Sequence, residues 1–142
     1  MTTAKSLLLS CALLSLGLAT AGSQQRVPAT PLIAHDPYFS IWSTTDELTA
    51  SNTTHWTGAA QPLTGIARID GKAFRFMGRD PENVPGMHQT GKSVTATHTH
   101  YEFREGGVEL EFTFFTPAMM SDLDVLSRPV TYLTWRATAT VS

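Results

Sequence analysis

Apolar and polar residues alternate most regularly between residues 108 and 116. Val108, Leu110, Phe112 and Phe114 occupy every second position, and the residues between them are mostly Glu and Thr. A strand with one buried and one solvated face produces this period of two. The pattern therefore predicts a strand whose four apolar side chains lie in the core, where each contributes about 1.5–3 kcal/mol.

Two short turn sequences join runs of this kind. Asp70-Gly71 separates the apolar run 63–69 from the run 74–76, and Asp-Gly tolerates the positive φ angles of a type I′ hairpin turn. Gly106-Gly107 separates a run rich in Thr, Val and aromatic residues, 93–103, from the alternating strand. Both sequences predict antiparallel hairpins.

The remaining segments complete an all-β pattern. Short apolar pieces at 32–34 and 38–42 precede two loops, 43–60 and 78–91, which are rich in residues typical of turns, and a strand-like run covers 130–141. Four to six hairpin-joined strands with almost no helical period predict an antiparallel β-sandwich. No turn signal follows the last run, so we expect a partial sandwich, truncated at its C-terminus, whose final strand has no partner and invites aggregation.

The first residues have the order of a secretory signal peptide. A positively charged start precedes the apolar run 6–19, and Ala19 and Ala21 supply small residues at the −3 and −1 positions of a cleavage site. The pattern predicts that residues 1–21 are removed and that the mature chain begins at Gly22. The apolar run is shorter than the roughly 20 residues of a membrane-spanning helix. We therefore expect a secreted or periplasmic protein without a stable membrane anchor.

Composition narrows the function classes open to the mature region, residues 22–142. The one cysteine of the chain, Cys11, lies in the predicted leader, so the mature region has no disulfide and no thiol chemistry. A net charge of −2 with no basic cluster argues against nucleic acid as a partner. The region also lacks a Gly-rich phosphate loop, and we predict no cofactor.

Asp36, His55 and Trp56 are the candidates for a ligand-binding site. An Asp beside a His can orient a general base, but no nucleophile accompanies them in a recognised motif, so we assign no catalytic residue. The interpretation that we favour is structural, with Asp36 and His55 tying loop backbone to the edge of the sandwich.

His98 and His100 point to the same face of a predicted strand because side chains two residues apart share a face. Two imidazoles fall short of the three or four protein ligands of a zinc site. We predict no metal site here, and we expect the two histidines to be exposed, opposite an inward-facing Tyr101 and Phe103.

The aromatic residues leave a second hypothesis open. Large rings are most often core residues, but exposed rings could instead stack on sugars. The rings concerned are Trp42, Trp56 and Trp135, with Tyr38 and Phe39.

A longer ordered string of motifs begins at Pro31 and covers much of the mature region. Its parts are PLIAHDPYFSIWS at 31–43, HWTG at 55–58, LTG at 63–65, IDGK at 69–72, FRFMG at 74–78 and, later, SRPVTY at 127–132. This string resembles the N-terminal region of the glutaminase A family, which comprises secreted multidomain proteins of bacteria and fungi.

The resemblance implies a module of a larger hydrolase. Members of that family continue through more β-sandwich into an α-helical toroid of the six-hairpin glycosidase type, where catalysis is expected. The family name implies hydrolysis of L-glutamine to glutamate and ammonia. The implied role of this chain is a non-catalytic N-terminal module whose partner is the downstream catalytic domain. Two alternatives stay open: a carbohydrate-binding accessory module, and an interface active site that uses Asp36 or His55.

Overall fold

The computed structural model describes residues 27–140, and apart from one short helix their regular secondary structure consists of antiparallel β-strands. The predicted signal peptide, 1–21, and its cleavage between Ala21 and Gly22 lie outside the described residues. The all-β prediction is confirmed, but the described chain has eight strands and not four to six. One additional strand, β5, arises where the sequence predicted a loop and the start of a single strand.

The strands form three antiparallel sheets. Strands β1 and β2 make the first, β3 and β4 the second, and β5-β6-β7-β8, in that order, the third. The elements are β1 (Thr30–Asp36), β2 (Phe39–Ser43), β3 (Gly65–Ile69), β4 (Lys72–Met77), β5 (His88–Val94), β6 (His98–Glu105), β7 (Val108–Phe115), helix α1 (Leu123–Leu126) and β8 (Tyr132–Ala139).

The β3–β4 hairpin forms at the predicted Asp-Gly turn. Ile69 pairs with Lys72, and the two residues between them have φ angles of 48° at Asp70 and 80° at Gly71. Both positions are in the left-handed region, which Gly adopts freely and Asp tolerates better than most residues. The hairpin prediction is confirmed.

The predicted strand 93–103 was wrong at its N-terminal side. Two strands meet there at a turn over 95–97, and β5 begins inside the predicted loop, at His88. The Thr95 N–H donates to the His98 carbonyl (2.8 Å), and the His98 N–H donates to Thr95 Oγ1 (3.2 Å). Thr has a high strand propensity but also bonds local backbone through its hydroxyl. A Thr-rich composition therefore did not reveal the turn.

Strand β7 has the predicted alternation. Leu110, Phe112 and Phe114 are buried, whereas Val108 is half-buried. The expectation that the final strand lacks a partner was wrong, because β8 pairs with β7 along its whole length, from Tyr132↔Phe115 to Ala139↔Val108. Within residues 27–140, β8 is an edge strand with its outer side open.

The core lies between the four-stranded sheet and the two hairpins that face it. Phe76 of β4 packs against Phe103 and Phe112, with ring centroids 6.1 and 5.0 Å apart. Thr99 Oγ1 of β6 donates to the carbonyl of Pro31 in β1 (2.6 Å). These contacts join the layers into the predicted β-sandwich.

The connection from β7 to β8 contains helix α1, which is four residues long. Asp122 caps it, because its carboxylate accepts a hydrogen bond from the Val125 N–H (3.1 Å). No helix in residues 27–140 is both long and apolar enough to cross a membrane.

Candidate functional site

The turn between β1 and β2 brings the three candidate residues together. Asp36 ends β1, and its Oδ1 accepts hydrogen bonds from the N–H groups of Tyr38 (2.7 Å) and Phe39 (2.9 Å). An Asp side chain that bonds backbone two or three residues ahead is a common way to close a turn. The carboxylate of Asp36 thereby fixes the conformation of its own hairpin.

His55 and Trp56 reach the same turn from the loop that follows β2. His55 Nε2 lies 3.0 Å and Trp56 Nε1 lies 2.6 Å from the carbonyl oxygen of Pro37. Two backbone hydrogen bonds between Trp42 and Thr54 (2.8 and 3.0 Å) hold the loop beside β2. These backbone hydrogen bonds and the two ring contacts with Pro37 anchor the loop on the first hairpin.

The contacts of His55 define its tautomer. A carbonyl oxygen only accepts, so Nε2 carries the proton that it donates to Pro37. Nδ1 is then the acceptor, and it receives the Thr57 N–H (3.3 Å) and lies 2.8 Å from Thr57 Oγ1. Both ring nitrogens are occupied by contacts within the chain.

Asp36 and His55 share a turn but do not form a catalytic pair. Among the described residues, no hydrogen bond or ion pair joins the Asp36 carboxylate to the His55 ring. An orienting carboxylate must bond the imidazole nitrogen opposite the reacting one, and here that nitrogen faces Thr57. The arrangement agrees with the structural interpretation, in which both side chains bind loop backbone at the sandwich edge.

The aromatic candidates separate into different places. Tyr38 (91% exposed) and Trp56 (61% exposed) lie together at the Pro37 turn, where Phe39 also stacks on His35 with centroids 5.2 Å apart. Trp42 is half-buried in β2, and Trp135 lies on β8. Of the possible sugar-stacking rings, the structure therefore brings the exposed Tyr38 and Trp56 together at one turn, with the less exposed Phe39 (41%) beside them.

Of the two strand histidines, His98 is exposed as expected, whereas His100 is half-buried. His98 stacks on Phe115 with centroids 4.3 Å apart, and His100 Nδ1 lies 2.6 Å from Thr113 Oγ1. Tyr101 and Phe103 face inward as predicted. Across residues 27–140, no group of three or more His, Cys, Asp or Glu side chains is placed to hold a metal ion.

Sequence reasoning missed Arg75, a buried cation in β4. Its Nε donates to the Val84 carbonyl (2.8 Å), and its Nη1 donates to the carbonyls of Thr49 (3.3 Å) and Gly78. The guanidinium thus fastens two loops to the second hairpin through backbone acceptors. An Arg between two Phe residues in a strand was the available signal, but carbonyl partners cannot be read from a sequence.

Among the described residues, Tyr101 is the one group with a large pKa shift. Its side chain is fully buried under the first hairpin, and burial raises the pKa of the phenol to about 12. The nearby hydroxyls of Thr30 and Ser43 lower that pKa in part, although neither makes a hydrogen bond of good geometry with the Tyr101 oxygen. Tyr101 is therefore a neutral core residue.

These features define a class: an antiparallel β-sandwich whose candidate polar residues bind its own loops. Residues 6–87 match the family described as "Domain of unknown function (DUF4964)", and residues 97–142 match "Domain of unknown function (DUF5127)". The first match covers more than half of the chain, so the chain belongs to the DUF4964 family.

A curated relative adds a named protein to the comparison. The chain is 33% identical over 125 residues to Glutaminase A of Aspergillus oryzae (strain ATCC 42149 / RIB 40), and the match covers 82% of this chain. The match confirms the predicted resemblance to the N-terminal region of the glutaminase A family. The chain spans 18% of the length of that relative. No solved structure matches the chain significantly.

Proposed function

We propose that the chain is a non-catalytic N-terminal β-sandwich module of a secreted glutaminase A-like hydrolase. The observation that carries the proposal is the use of Asp36 and His55, whose hydrogen bonds all go to groups of neighbouring loop residues. The relative's name and its greater length support the association with a hydrolase. The partner of the module is the catalytic domain downstream in the same protein.

The first test measures ammonia release from L-glutamine. Protein that begins at Gly22 and ends at Ser142 is expected to release none above buffer, whereas the longer protein that contains it is expected to be active. Turnover by residues 22–142 that disappears in His55→Ala would overturn the non-catalytic role.

The second test separates a structural role from an interface active site. In the longer protein, Asp36→Ala and His55→Ala are expected to lower the melting temperature while turnover per folded molecule is kept, because the loss acts through loop contacts. His88→Ala is the matched control, since His88 is an exposed strand histidine. Unchanged stability with turnover reduced by about 100-fold or more, the scale of a lost general acid or base, would contradict the proposal.

Export is the part of the proposal that the leader supports. Secreted material is expected to begin at or near Gly22, which N-terminal sequencing measures. Replacing both Leu13 and Leu14 with Arg should block export, because charge in the apolar run opposes membrane engagement. Exported protein that still begins at Met1 would contradict a cleaved leader.

A carbohydrate-binding module is the second candidate function. The pair of exposed rings at the Pro37 turn, Tyr38 and Trp56, favours it, since sugars stack on exposed aromatic faces. The test is retention of residues 22–142 on insoluble polysaccharide, for the parent protein and for Trp56→Ala, with Trp135→Ala as the control for loss of another exposed tryptophan. Retention that is lost in Trp56→Ala but kept in Trp135→Ala would support this candidate. No retention by the parent protein would exclude it.

A further inference from the structure

The inner face of the four-stranded sheet is not covered at β8. Register pairs Leu133, Trp135 and Ala137 of β8 with Phe114, Phe112 and Leu110 of β7. Paired residues lie on the same face of a sheet, so these three side chains of β8 are on the core face. Leu133 is nevertheless 48% exposed and Trp135 72% exposed.

A groove of about 560 Å³ lies over Trp135 and Ala137. One wall consists of residues 66–70, which belong to β3 and to the turn after it, and the floor includes Phe76, Leu110 and Trp135. The wall consists of consecutive residues, because β3 presents its backbone edge and not a single face. The two hairpins that face the four-stranded sheet thus leave β8 uncovered.

The edge of β3 that lines the groove is unpaired. β3 is bonded to β4 on its other side, and within residues 27–140 no backbone hydrogen bond goes from β3 to any further strand. An open edge is a row of N–H and C=O groups, and an extended segment can form backbone hydrogen bonds with them and so add a strand to the sheet. A strand bonded there would place every second side chain over Trp135 and Ala137.

The path of the chain indicates which segment fills the groove. After β8, the Thr140 N–H donates to the Gly107 carbonyl (2.8 Å), at the turn between β6 and β7. A methyl group on the adjacent Gly106 would lie 3.3 Å from Ile69 Cγ2, at the end of β3. The polypeptide therefore leaves β8 beside one end of the groove, and a connection of about 2–5 residues, common between neighbouring strands, reaches it.

We propose that the groove binds a β-strand from the polypeptide that follows residue 142, which pairs with β3 and buries the inner face of β8. The occupant has alternating apolar side chains, as the apolar floor requires. The relative supports a longer polypeptide, because the chain matches 18% of the relative's length. The inference rests on the proposed function in one respect: both require a longer protein.

Thiol labelling in the longer protein tests the proposal. Ala137→Cys faces the groove, and Thr138→Cys, the next residue of β8, faces the opposite side of the sheet. Each is made in a cysteine-free background and labelled with a maleimide in native buffer and in urea. The Ala137→Cys thiol is expected to react about 100-fold or more slowly in the native protein than in urea, since it opens only with local unfolding.

The two positions distinguish the possible failures. Equal native and urea rates for Ala137→Cys would overturn the strand-binding groove. Protection of Thr138→Cys with an open Ala137→Cys would also overturn it, because the outer face would be the docking surface, while the proposed module function would stand. A reading frame that ends at residue 142 would overturn both proposals.

Photo-crosslinking identifies the occupant. Trp135 is replaced by p-benzoylphenylalanine, a photoreactive residue of similar size, in the longer protein. Crosslinks within one molecule to residues after 142 would support the proposal. A crosslinked dimer on a denaturing gel would overturn it, because a second copy would occupy the groove.

Discussion

Strands β7 and β8 lie side by side in one sheet, yet their inner faces differ in environment. Phe112 and Trp135 are direct register partners, but Phe112 is 5% exposed and Trp135 is 72% exposed. Phe76 of the facing hairpin covers Phe112, with ring centroids 5.0 Å apart. The comparison shows that alternation decides which side chains share a face, whereas a second layer decides whether that face is buried.

The largest expected effect comes from truncating the two partners separately. Phe112→Ala should lower the free energy of unfolding by about 3–5 kcal/mol, because a large buried side chain is removed from the core. Trp135→Ala in the same protein, residues 22–142, should cost about 1 kcal/mol or less, the range of surface changes. Urea denaturation followed by circular dichroism measures both.

Equal losses for the two variants would contradict the comparison. In the longer protein, the proposed strand should raise the cost of Trp135→Ala toward that of Phe112→Ala. A cost of Trp135→Ala that is the same in both proteins would show that β8 stays uncovered.

The hairpins that cover the four-stranded sheet can also be destabilised without a substitution on the core face of that sheet. Arg75→Leu should cost about 2–4 kcal/mol, because it leaves buried carbonyls of the loops around β4 without their charged donor. Arg68→Leu on β3 is the matched control, since Arg68 is exposed, and it should change stability by about 0.5 kcal/mol at most. Denaturant titration of the two variants measures the difference, and equal losses would show that the buried cation does not hold the layer.

High pH should lower the free energy of unfolding through Tyr101, which lies on the buried face of the four-stranded sheet. Its pKa is 10.0 in the unfolded chain and about 12 in the folded protein. The native state holds the proton more tightly, so its contribution is fully present below pH 10 and is lost as the pH rises through 12. The loss should reach about 2–3 kcal/mol. Stability measured against pH should fall less steeply in Tyr101→Phe, and identical slopes would contradict the burial effect.

The smallest effect is expected at the turn of the first hairpin. Asp36→Ala removes the acceptor for two backbone N–H groups and should cost about 1 kcal/mol. Asp36→Asn keeps a side-chain oxygen at the same place and should cost about half as much or less. Thermal melts of the two variants would contradict the turn-closing role if they coincided.

The hairpins were the most predictable part of the fold. Asp70-Gly71 and the alternation in β7 are local signals, since each depends on φ preference or on side-chain period within one segment. The turn over 95–97 was missed because Thr is common both in strands and in local backbone bonding. The partner of β8 was missed because strand pairing is a long-range property.

The candidate site was predictable as a set of residues but not as an arrangement. Asp36, His55 and Trp56 were selected from the sequence, and all three lie at the Pro37 turn. Their partners are mostly backbone atoms, which are identical at every position of a sequence. The role of Arg75 was hidden for the same reason, because its acceptors are three carbonyls.

The sequence by itself determined the all-β class, the β3–β4 and β6–β7 turns, the inward face of β7 and the resemblance to the glutaminase A family. These properties depend on local backbone preference, on a two-residue period and on motif order. The tertiary structure alone decided that β8 pairs with β7, that Arg75 is buried, and that Trp135 lies on the core face without cover. Each of these depends on which distant segment lies opposite, and on how wide the facing layer is.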